Sequence, residues 1–305
     1  MNIREFLEIR GIKISNISKS CNIPYATLHD GFDNPDSIKV ANLKKISDYL
    51  DLSMDELYSL LSFKKNNLLS ILLDQKKSNL KGNIYHYTQI KFTYNTNRIE
   101  GSKLTEEETR YIFETNTLFQ DKTTTNVDDV VETANHFYLF DIMLNHAGDM
   151  LTESMIKRFH EILKNGTEDS RKNWFKVGEY KSLPNEVGGE ETTPPAEVGK
   201  EIKNLLNWHQ SISEITLDTI LEFHYRFESI HPFQDGNGRI GRIIMFKECL
   251  KNNIIPFIIE DEFKAFYYRG LSEYTREKGY LNDTCLMMQD KYIDIVDKYV
   301  GALLK

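Results

Sequence analysis

A run of twelve residues, 231–242, combines side chains that could act on phosphate groups: it reads His-Pro-Phe-Gln-Asp-Gly-Asn-Gly-Arg-Ile-Gly-Arg. The histidine could serve as a general base for an incoming hydroxyl, and the aspartate offers the hard oxygen ligand that Mg²⁺ prefers. Glycines that open a helix leave backbone N–H groups free to bind an anion, and two arginines could hold further phosphate oxygens. The run therefore favours phosphoryl or nucleotidyl transfer from a nucleoside triphosphate.

Two predicted helices position this run. Apolar residues at helical spacing predict an amphipathic helix over 217–230, and Pro232 ends it because proline cannot donate a backbone hydrogen bond. His231 then lies at a helix-to-loop corner, from which an imidazole can reach a cleft. A second helical pattern covers residues 239–249, so the glycine-rich stretch 236–238 should open that helix.

The same residues could also form a purely structural helix-loop-helix. In that interpretation the glycines make a tight turn and the arginines face solvent. A single Gly-x-Gly would favour this interpretation, but several independent chemical requirements coincide within one short run here. The functional interpretation is therefore preferred.

The run resembles, without departure, the signature of the Fic (filamentation induced by cyclic AMP) family, His-Pro-Phe-x-(Asp/Glu)-Gly-Asn-Gly-Arg-x-x-Arg. The resemblance implies a mostly helical Fic fold that moves AMP from ATP to a protein hydroxyl. It also implies a role for each matching position: His231 is the base, Phe233 a buried anchor and Asp235 the Mg²⁺ ligand, while Gly236, Asn237 and Gly238 line the phosphates and Arg239 and Arg242 contact the β- and γ-phosphates.

An upstream segment resembles the inhibitory motif of the same family, (Ser/Thr)-x-x-x-Glu-(Gly/Asn). Residues 96–101 read Thr-Asn-Arg-Ile-Glu-Gly. Structurally, the pattern predicts a helix that ends at Gly101, followed by a new helix capped by Thr105. The resemblance adds that Glu100 pairs with Arg242 and occupies the place of the γ-phosphate. ATP would then bind with misdirected phosphates, and the protein would inhibit itself.

The Gly-, Pro- and polar-rich stretch 178–195 is long for a simple connection, which predicts a functional loop. In the Fic family this loop is a β-hairpin flap that binds the target segment by strand addition. Its edge would consist of Asn185, Glu186, Val187 and Gly188. Lys181 stands where arginine is common in the family, and 188–194 is longer than in many relatives, which leaves the choice of target open.

Tyr267 and Tyr268 match a Tyr-Tyr-x-x-Leu segment that lines the nucleotide pocket in the family. The resemblance implies contacts from these two residues to adenine or ribose. Paired aromatic residues at helical positions are more commonly core residues, so this alternative stays open.

The N-terminal region predicts five short helices, roughly 3–10, 14–20, 25–31, 39–49 and 54–61. The run Ser-Lys-Ser-Cys-Asn-Ile-Pro-Tyr-Ala-Thr-Leu resembles the lambda-repressor-like helix-turn-helix module, in which the helix near 24–29 enters the DNA major groove. Residues 1–62 carry seven Lys and Arg against nine Asp and Glu. Because phosphate contacts dominate affinity for DNA, such a module would bind weakly without dimerisation. DNA binding and protein docking both stay open.

Composition sets the frame for these motifs. A chain of 305 residues with 40% hydrophobic content predicts two ordinary domains, and the net charge of −8 argues against a broad nucleic-acid-coating surface. Cys21, Cys249 and Cys285 are odd in number and lie among apolar residues, which predicts buried free thiols in a reducing compartment. The absence of a secretory or bilayer-spanning segment predicts a cytoplasmic protein with no membrane partner.

These features together predict a mainly α protein, with a helix-turn-helix bundle over 1–62 and a helical Fic domain with a small β-hairpin flap over 63–305. The expected activity is adenylylation of a Ser, Thr or Tyr hydroxyl on a target protein, with ATP as co-substrate and Mg²⁺ as cofactor. DNA and a second copy of the chain are further partners left open. Two other functions also stay open: a DNA-binding regulator whose Fic domain senses nucleotide, and removal of AMP at the same centre.

Overall fold

The computed structural model describes residues 3–33, 37–62, 68–118 and 124–300. The chain forms two compact units, Met1–Asn67 with Val300–Lys305, and Leu68–Tyr299. The boundary predicted after residue 62 adjoins 63–67, which lie outside the described residues. Apart from one short hairpin, the regular elements of the described chain are helical, which confirms the predicted mainly α class.

Among its described residues, the first unit forms five α-helices: α1 Ile3–Ile9, α2 Ile14–Cys21, α3 Tyr25–Asp33, α4 Val40–Leu50 and α5 Met54–Ser62. Each lies within a few residues of its predicted position. Ile17, Ile46 and Leu57 are fully buried and belong to one apolar core shared by these helices. The apolar periodicity of each short helix therefore contributes to a single small core.

The part of the second unit that the structure describes contains ten α-helices: α6 Leu68–Ser78, α7 Ile84–Ile99, α8 Glu106–Thr115, α9 Val127–Asn145, α10 Glu153–Lys164, α11 Pro195–Ser211, α12 Leu217–Ile230, α13 Asn237–Lys251, α14 Lys264–Ser272 and α15 Gly279–Val300. Short 3₁₀ turns lie at Asp169–Arg171 and Asp261–Phe263. Within the described ranges, no helix has the length and apolar character needed to cross a membrane.

Helix α13 lies at the centre of the second unit. It packs against α12, α7, α9, α10 and α6, and nearly all of its residues are buried. A helix that is buried on every side lies in the core rather than on the surface, and its charged residues must find partners there. Its N-terminal turn, which carries the glycines and arginines of the sequence signature, therefore starts inside the protein.

Helices α7 and α8 meet at the predicted inhibitory motif. Helix α7 ends at Ile99, and Glu100 is its C-terminal cap. Thr105 caps α8 by accepting a hydrogen bond from Glu108 N, while the Glu108 carboxylate accepts one from Thr105 N. This capping box satisfies the first free amides of α8 and confirms the predicted helix boundary.

A two-stranded antiparallel hairpin connects α10 to α11. Strand β1, Glu186–Val187, pairs with β2, Glu190–Glu191, so that Glu186 lies opposite Glu191. Gly188 and Gly189 form the turn. The structure therefore places a small hairpin where the sequence predicts one, with half-exposed Val187 on it.

All three cysteines of the chain are free and buried. Two of them, Cys249 and Cys285, belong to the apolar core around α13. Burial raises the pKa of all three thiols. These thiols are packing residues, as predicted.

Candidate active site

The corner between α12 and α13 places the imidazole of His231. Helix α12 stops at Ile230, and His231 caps it with a left-handed backbone, φ 50° and ψ 63°. Its N–H still donates to Phe227 O at 3.0 Å, while Pro232 prevents a further helical turn. A left-handed conformation is uncommon for a residue with a side chain, so the surrounding structure must hold it.

The His231 imidazole is neutral at neutral pH. Burial, reinforced by the positive charge of Lys181, lowers its pKa to about 4. Its Nδ1 is buried and accepts or donates no hydrogen bond within the described residues. A general base needs its unprotonated form, and burial gives this imidazole that form.

The loop after the corner is closed by Asn237. Phe233 N donates to Asn237 Oδ1 at 2.8 Å, and Asn237 Nδ2 donates to Phe233 O at 2.8 Å. The Phe233 ring is fully buried and stacks on His160, with ring centres 3.9 Å apart and planes 1° apart. The loop is thus fixed at both its backbone and its apolar side chain before any ligand binds.

The first turn of α13 leaves room for an anion. Gly236 caps the helix with φ 83°, and a Cβ on Gly238 would lie 2.2 Å from Glu100 Oε1 and 2.9 Å from Arg242 Nη1. Only glycine therefore allows the carboxylate of Glu100 to lie against this turn. A helix N-terminus carries partial positive charge, so the turn is a preformed anion site that a carboxylate of the chain itself occupies.

Arg242 is buried and held by both ends of the upstream motif. Its Nη2 lies 2.6 Å from Glu100 Oε1, its Nε donates to Thr96 Oγ1 at 2.7 Å, and Nη2 also donates to Thr96 O at 3.1 Å. Burial works against its positive charge, but Glu100, Tyr267 and Glu228 together outweigh burial and raise the guanidinium pKa. The hydroxyl at the start of the motif thus orients the arginine that the glutamate neutralises.

Arg239 lies on the other side of the same turn. It forms ion pairs with Glu132 and, at 3.4 Å, with Asp235 Oδ2, and it donates to Asn97 Oδ1 at 3.4 Å. Both signature arginines are therefore buried and paired. The alternative in which they face solvent is wrong.

Asp235 is held by a lysine that the sequence analysis did not identify. Lys164 Nζ lies 2.5 Å from Asp235 Oδ2 and also pairs with Glu132. Burial works against the Asp235 charge, but Arg239 and Lys164 together lower the carboxyl pKa well below its usual range. Lys164 lies one turn after His160, on the apolar face of the amphipathic helix α10. A lysine at a position of the apolar face was the available sequence signal.

The residues around Asp235 fit a Mg²⁺ ion that arrives with a nucleotide. Both ion pairs use Oδ2, and the side chain is 47% exposed. The described ranges contain no cluster of three or more His, Cys, Asp or Glu side chains suited to hold a metal ion. Protein sites often bind Mg²⁺ through one or two carboxylates together with substrate phosphates, so one carboxylate suffices.

The two tyrosines of α14 occupy different environments. Tyr267 is buried, its hydroxyl lies 2.6 Å from His224 Nε2, and the guanidinium of Arg242 sits 5.9 Å from its ring centre. Tyr268 is 44% exposed, and its hydroxyl donates to Ile99 O at 3.4 Å. The Tyr267 ring therefore packs near the guanidinium of Arg242. The nucleotide contacts expected of both tyrosines stay a prediction.

The hairpin root is fastened to the corner that holds His231. Lys181 Nζ donates to Asn185 Oδ1 at 2.7 Å and Thr192 Oγ1 at 2.6 Å, and Asn185 Nδ2 donates to Phe233 O at 3.0 Å. Lys181 N donates to the carbonyl of Pro232 at 2.9 Å. Burial lowers the pKa of Lys181 to about 8. The sequence identified Lys181 only as a lysine where arginine is common in the family. The structure shows that Lys181 links the root of the hairpin to the loop after His231.

Comparison with known proteins shows which family this site resembles. Residues 150–249 match the sequence model of the Fic/DOC family. The chain is 23% identical over 221 residues to protein adenylyltransferase fic-1 of Caenorhabditis elegans, covering 71% of this chain and 42% of that protein. It is 25% identical over 253 residues to protein adenylyltransferase Fic of Drosophila mojavensis, covering 78% and 46%.

A solved structure agrees with this match. The crystal structure of a Fic domain containing signaling protein from Bacteroides thetaiotaomicron superposes with a TM-score of 0.57 at 26% identity, covering 77% of this chain and 92% of that one. The chain spans less than half the length of the curated relatives it matches.

Proposed function

We propose, from the match of residues 150–249 to the Fic/DOC family model, that the chain is a protein adenylyltransferase, which transfers AMP from ATP to a Ser, Thr or Tyr hydroxyl of a target protein. Relatives named protein adenylyltransferases support this activity. The observation that carries the proposal is the anion site at the first turn of α13, where a carboxylate lies against Gly238 and pairs with Arg242. The γ-phosphate of ATP has the charge and the acceptor oxygens to take the same place.

In this reaction the target hydroxyl attacks the α-phosphorus of ATP while His231 accepts the hydroxyl proton. The bond to the β-phosphate oxygen breaks, and pyrophosphate leaves. The amides of residues 236–238 and the guanidiniums of Arg239 and Arg242 stabilise the charge that develops on the departing phosphates. His231 can take the proton because burial keeps it neutral.

Asp235 would hold Mg²⁺ together with the triphosphate. When bound, the ion neutralises negative charge on the phosphate oxygens. Lys164 and Arg239 keep the Asp235 carboxylate ionised, which a metal ligand must be.

We further propose that Glu100 inhibits this activity within the chain. Its carboxylate and the γ-phosphate compete for one guanidinium, that of Arg242. While the pair is intact, the triphosphate tail cannot settle in line with the attacking hydroxyl. Inhibition therefore needs no closure of the pocket.

The flap would bind the target segment by adding a strand to β1. Strand addition needs an accessible edge, and Glu186 and Val187 are exposed. The links from Lys181 and Asn185 to the His231 corner would place a docked hydroxyl near the base.

We assign the first unit, as a proposal, to a helix-turn-helix module that binds DNA or docks on a protein. Helices α2 and α3 are in contact and joined by three residues, with Asn22 in the left-handed conformation. A turn of this length is typical of the motif. Salt-dependent retention on promoter DNA would assign it to DNA, and no retention at low salt would assign it to protein docking.

The activity is tested by AMP transfer from α-labelled ATP to proteins of a cell lysate. We expect labelling by the Glu100→Gly variant and none by the variant that also carries His231→Ala. Labelling that persists without His231, or that never occurs with Glu100→Gly, would overturn the proposal. A target labelled beforehand and then incubated with wild-type protein separates AMP removal from AMP transfer.

A further inference from the structure

We propose that Lys164 is a built-in counter-cation for Asp235, which keeps divalent metal ions off this carboxylate until they arrive together with a nucleoside triphosphate. The inference rests on the proposed function for the identity of the nucleotide. It concerns metal binding itself, so it can be tested without any AMP transfer.

Three carboxylates from three elements meet at the Lys164 ammonium. Asp235 Oδ2, from the active-site loop, lies at 2.5 Å, Glu132 of α9 pairs more closely still, and Asp169 Oδ2, from a 3₁₀ turn, lies at 3.5 Å. An ammonium group has three N–H donors and no acceptor, so one lysine can serve all three carboxylates. Lys164 is 2% exposed. The amine is therefore a structural part of the site.

The charge of this cluster explains what the lysine would do. Without Lys164, the three carboxylates would be balanced by Arg239, which pairs with Glu132 and Asp235, and by Lys172, which pairs with Asp169, so one negative charge would stay unbalanced. Such a surplus of oxygen ligands and negative charge attracts Mg²⁺ or Mn²⁺. With Lys164 present, Asp235 already has a cation on Oδ2, and a metal ion must approach against its repulsion.

Asp235 is also positioned without any help from a metal ion. Gly178 N donates to His160 Nδ1 at 2.9 Å, so the ring proton lies on His160 Nε2 and points to Asp235 O at 3.1 Å. Helix α10 thus fixes the backbone of Asp235 through His160 and its carboxylate through Lys164. Because Asp235 is already held in place, the loop does not need a metal ion to become ordered.

A triphosphate changes this balance. Its oxygens supply most of the ligands and negative charge that a Mg²⁺ ion needs, and the exposed side of the Asp235 carboxylate is then sufficient. Metal binding would therefore depend on nucleotide in the wild-type chain. The dependence should weaken when Lys164 loses its charge.

The test is Mn²⁺ binding to the full chain, followed by loss of the free-ion signal in electron paramagnetic resonance, with and without ATP. Wild type and Lys164→Arg should bind Mn²⁺ weakly without ATP and much more tightly with it. Lys164→Met should bind Mn²⁺ without ATP about tenfold more tightly than wild type, because the positive charge that repels the ion beside Asp235 is gone. Lys172→Met is the matched control, because it removes a nearby lysine that pairs with Asp169 at 2.6 Å and with Glu168 rather than with Asp235. Its Mn²⁺ binding without ATP should stay close to that of wild type.

The gain must also depend on Asp235. Adding Asp235→Asn to Lys164→Met should remove the nucleotide-independent binding. Unchanged or weaker Mn²⁺ binding by Lys164→Met, or a gain that survives Asp235→Asn, would overturn the proposal. If Lys164→Met unfolds, Lys164→Met with Glu132→Gln removes both charges of one pair and still frees Asp235 of its lysine, so it should bind Mn²⁺ without ATP more tightly than wild type, with a smaller gain. Absence of AMP transfer in Glu100→Gly would reject the proposed function while leaving this binding result intact.

Discussion

Glu100 Oε1 and Arg242 Nη2 lie 2.6 Å apart at the first turn of the central helix α13, 142 positions apart in the chain. The pair closes the anion site with a negative charge supplied by the C-terminal cap of α7. A hydrogen bond between charged groups is shorter and stronger than a neutral one. This contact therefore sets how readily a triphosphate can take its productive position.

We predict that Glu100→Gly raises the rate of AMP transfer by about tenfold or more, because a hydrogen bond to a charged group is worth about 1.5–3 kcal/mol. The rate is measured as labelled AMP incorporated into lysate protein under initial-rate conditions. The matched control is Glu107→Gln, which replaces an exposed glutamate of α8 and should leave the rate at the wild-type level. Equal or lower incorporation by Glu100→Gly would count against the inhibitory role.

Replacing the catalytic histidine separates chemistry from binding. His231→Ala, in the Glu100→Gly background, should abolish AMP transfer and leave ATP affinity nearly intact, because His231 acts on the target hydroxyl rather than on the phosphates. Isothermal titration with ATP and Mg²⁺ measures the affinity. A large loss of affinity would instead place the imidazole among the nucleotide ligands.

The parts of this site that sequence could predict are those with a local cause. Pro232 and the glycines fix where α12 ends and α13 begins, and Glu108 three positions after Thr105 fixes the start of α8. The pairing of Glu100 with Arg242 was expected only through resemblance to a family. No periodic pattern connects residues so far apart in a chain.

The parts that sequence reasoning missed arise from long-range packing. Lys164 contacts Asp235 across 71 positions, and Thr96 contacts Arg242 across 146. Helix α13 is buried on all sides, so it has no polar face from which the burial of Arg239 could be read. Such contacts become visible only once the helices are assembled.

The pH dependence of transfer should report the charge of Lys181. Burial first, and Lys181 second, lower the pKa of His231 to about 4, while Glu100 and Asp235 act in the opposite direction. Removing the positive charge in Lys181→Met should raise that pKa, so activity should be lost at a higher pH on the acid side. We expect the acid limb of kcat/KM for Glu100→Gly/Lys181→Met to lie above that of Glu100→Gly.

The control for this prediction is Lys181→Arg, which keeps the charge and should keep the acid limb in place. Lys181 also ties Asn185 and Thr192 of the flap root, so Lys181→Met can reduce the overall rate. A lower rate with an unmoved acid limb would assign Lys181 a purely structural role.

Buried neutral histidines should make the fold sensitive to acid. Burial is the largest cause that lowers the pKa of His136, His160 and His224, each to about 3. In the unfolded chain a histidine titrates near about 6.5, so unfolding between these values takes up protons. The stability that the neutral rings provide is complete above about pH 6.5 and is lost as the pH falls towards 3.

The free energy of unfolding from urea titrations, measured at several pH values, tests this prediction. Between pH 6 and pH 4 the stability should fall with a slope that corresponds to an uptake of up to about three protons from these rings, or about 1.4 kcal/mol per proton and pH unit. His136 makes the sharpest single test, because it is fully buried with Nδ1 on Thr93 Oγ1 at 2.8 Å. His136→Gln should reduce the slope by about one proton. A slope that is the same in wild type and His136→Gln would show that His136 is already protonated in the folded protein at these pH values.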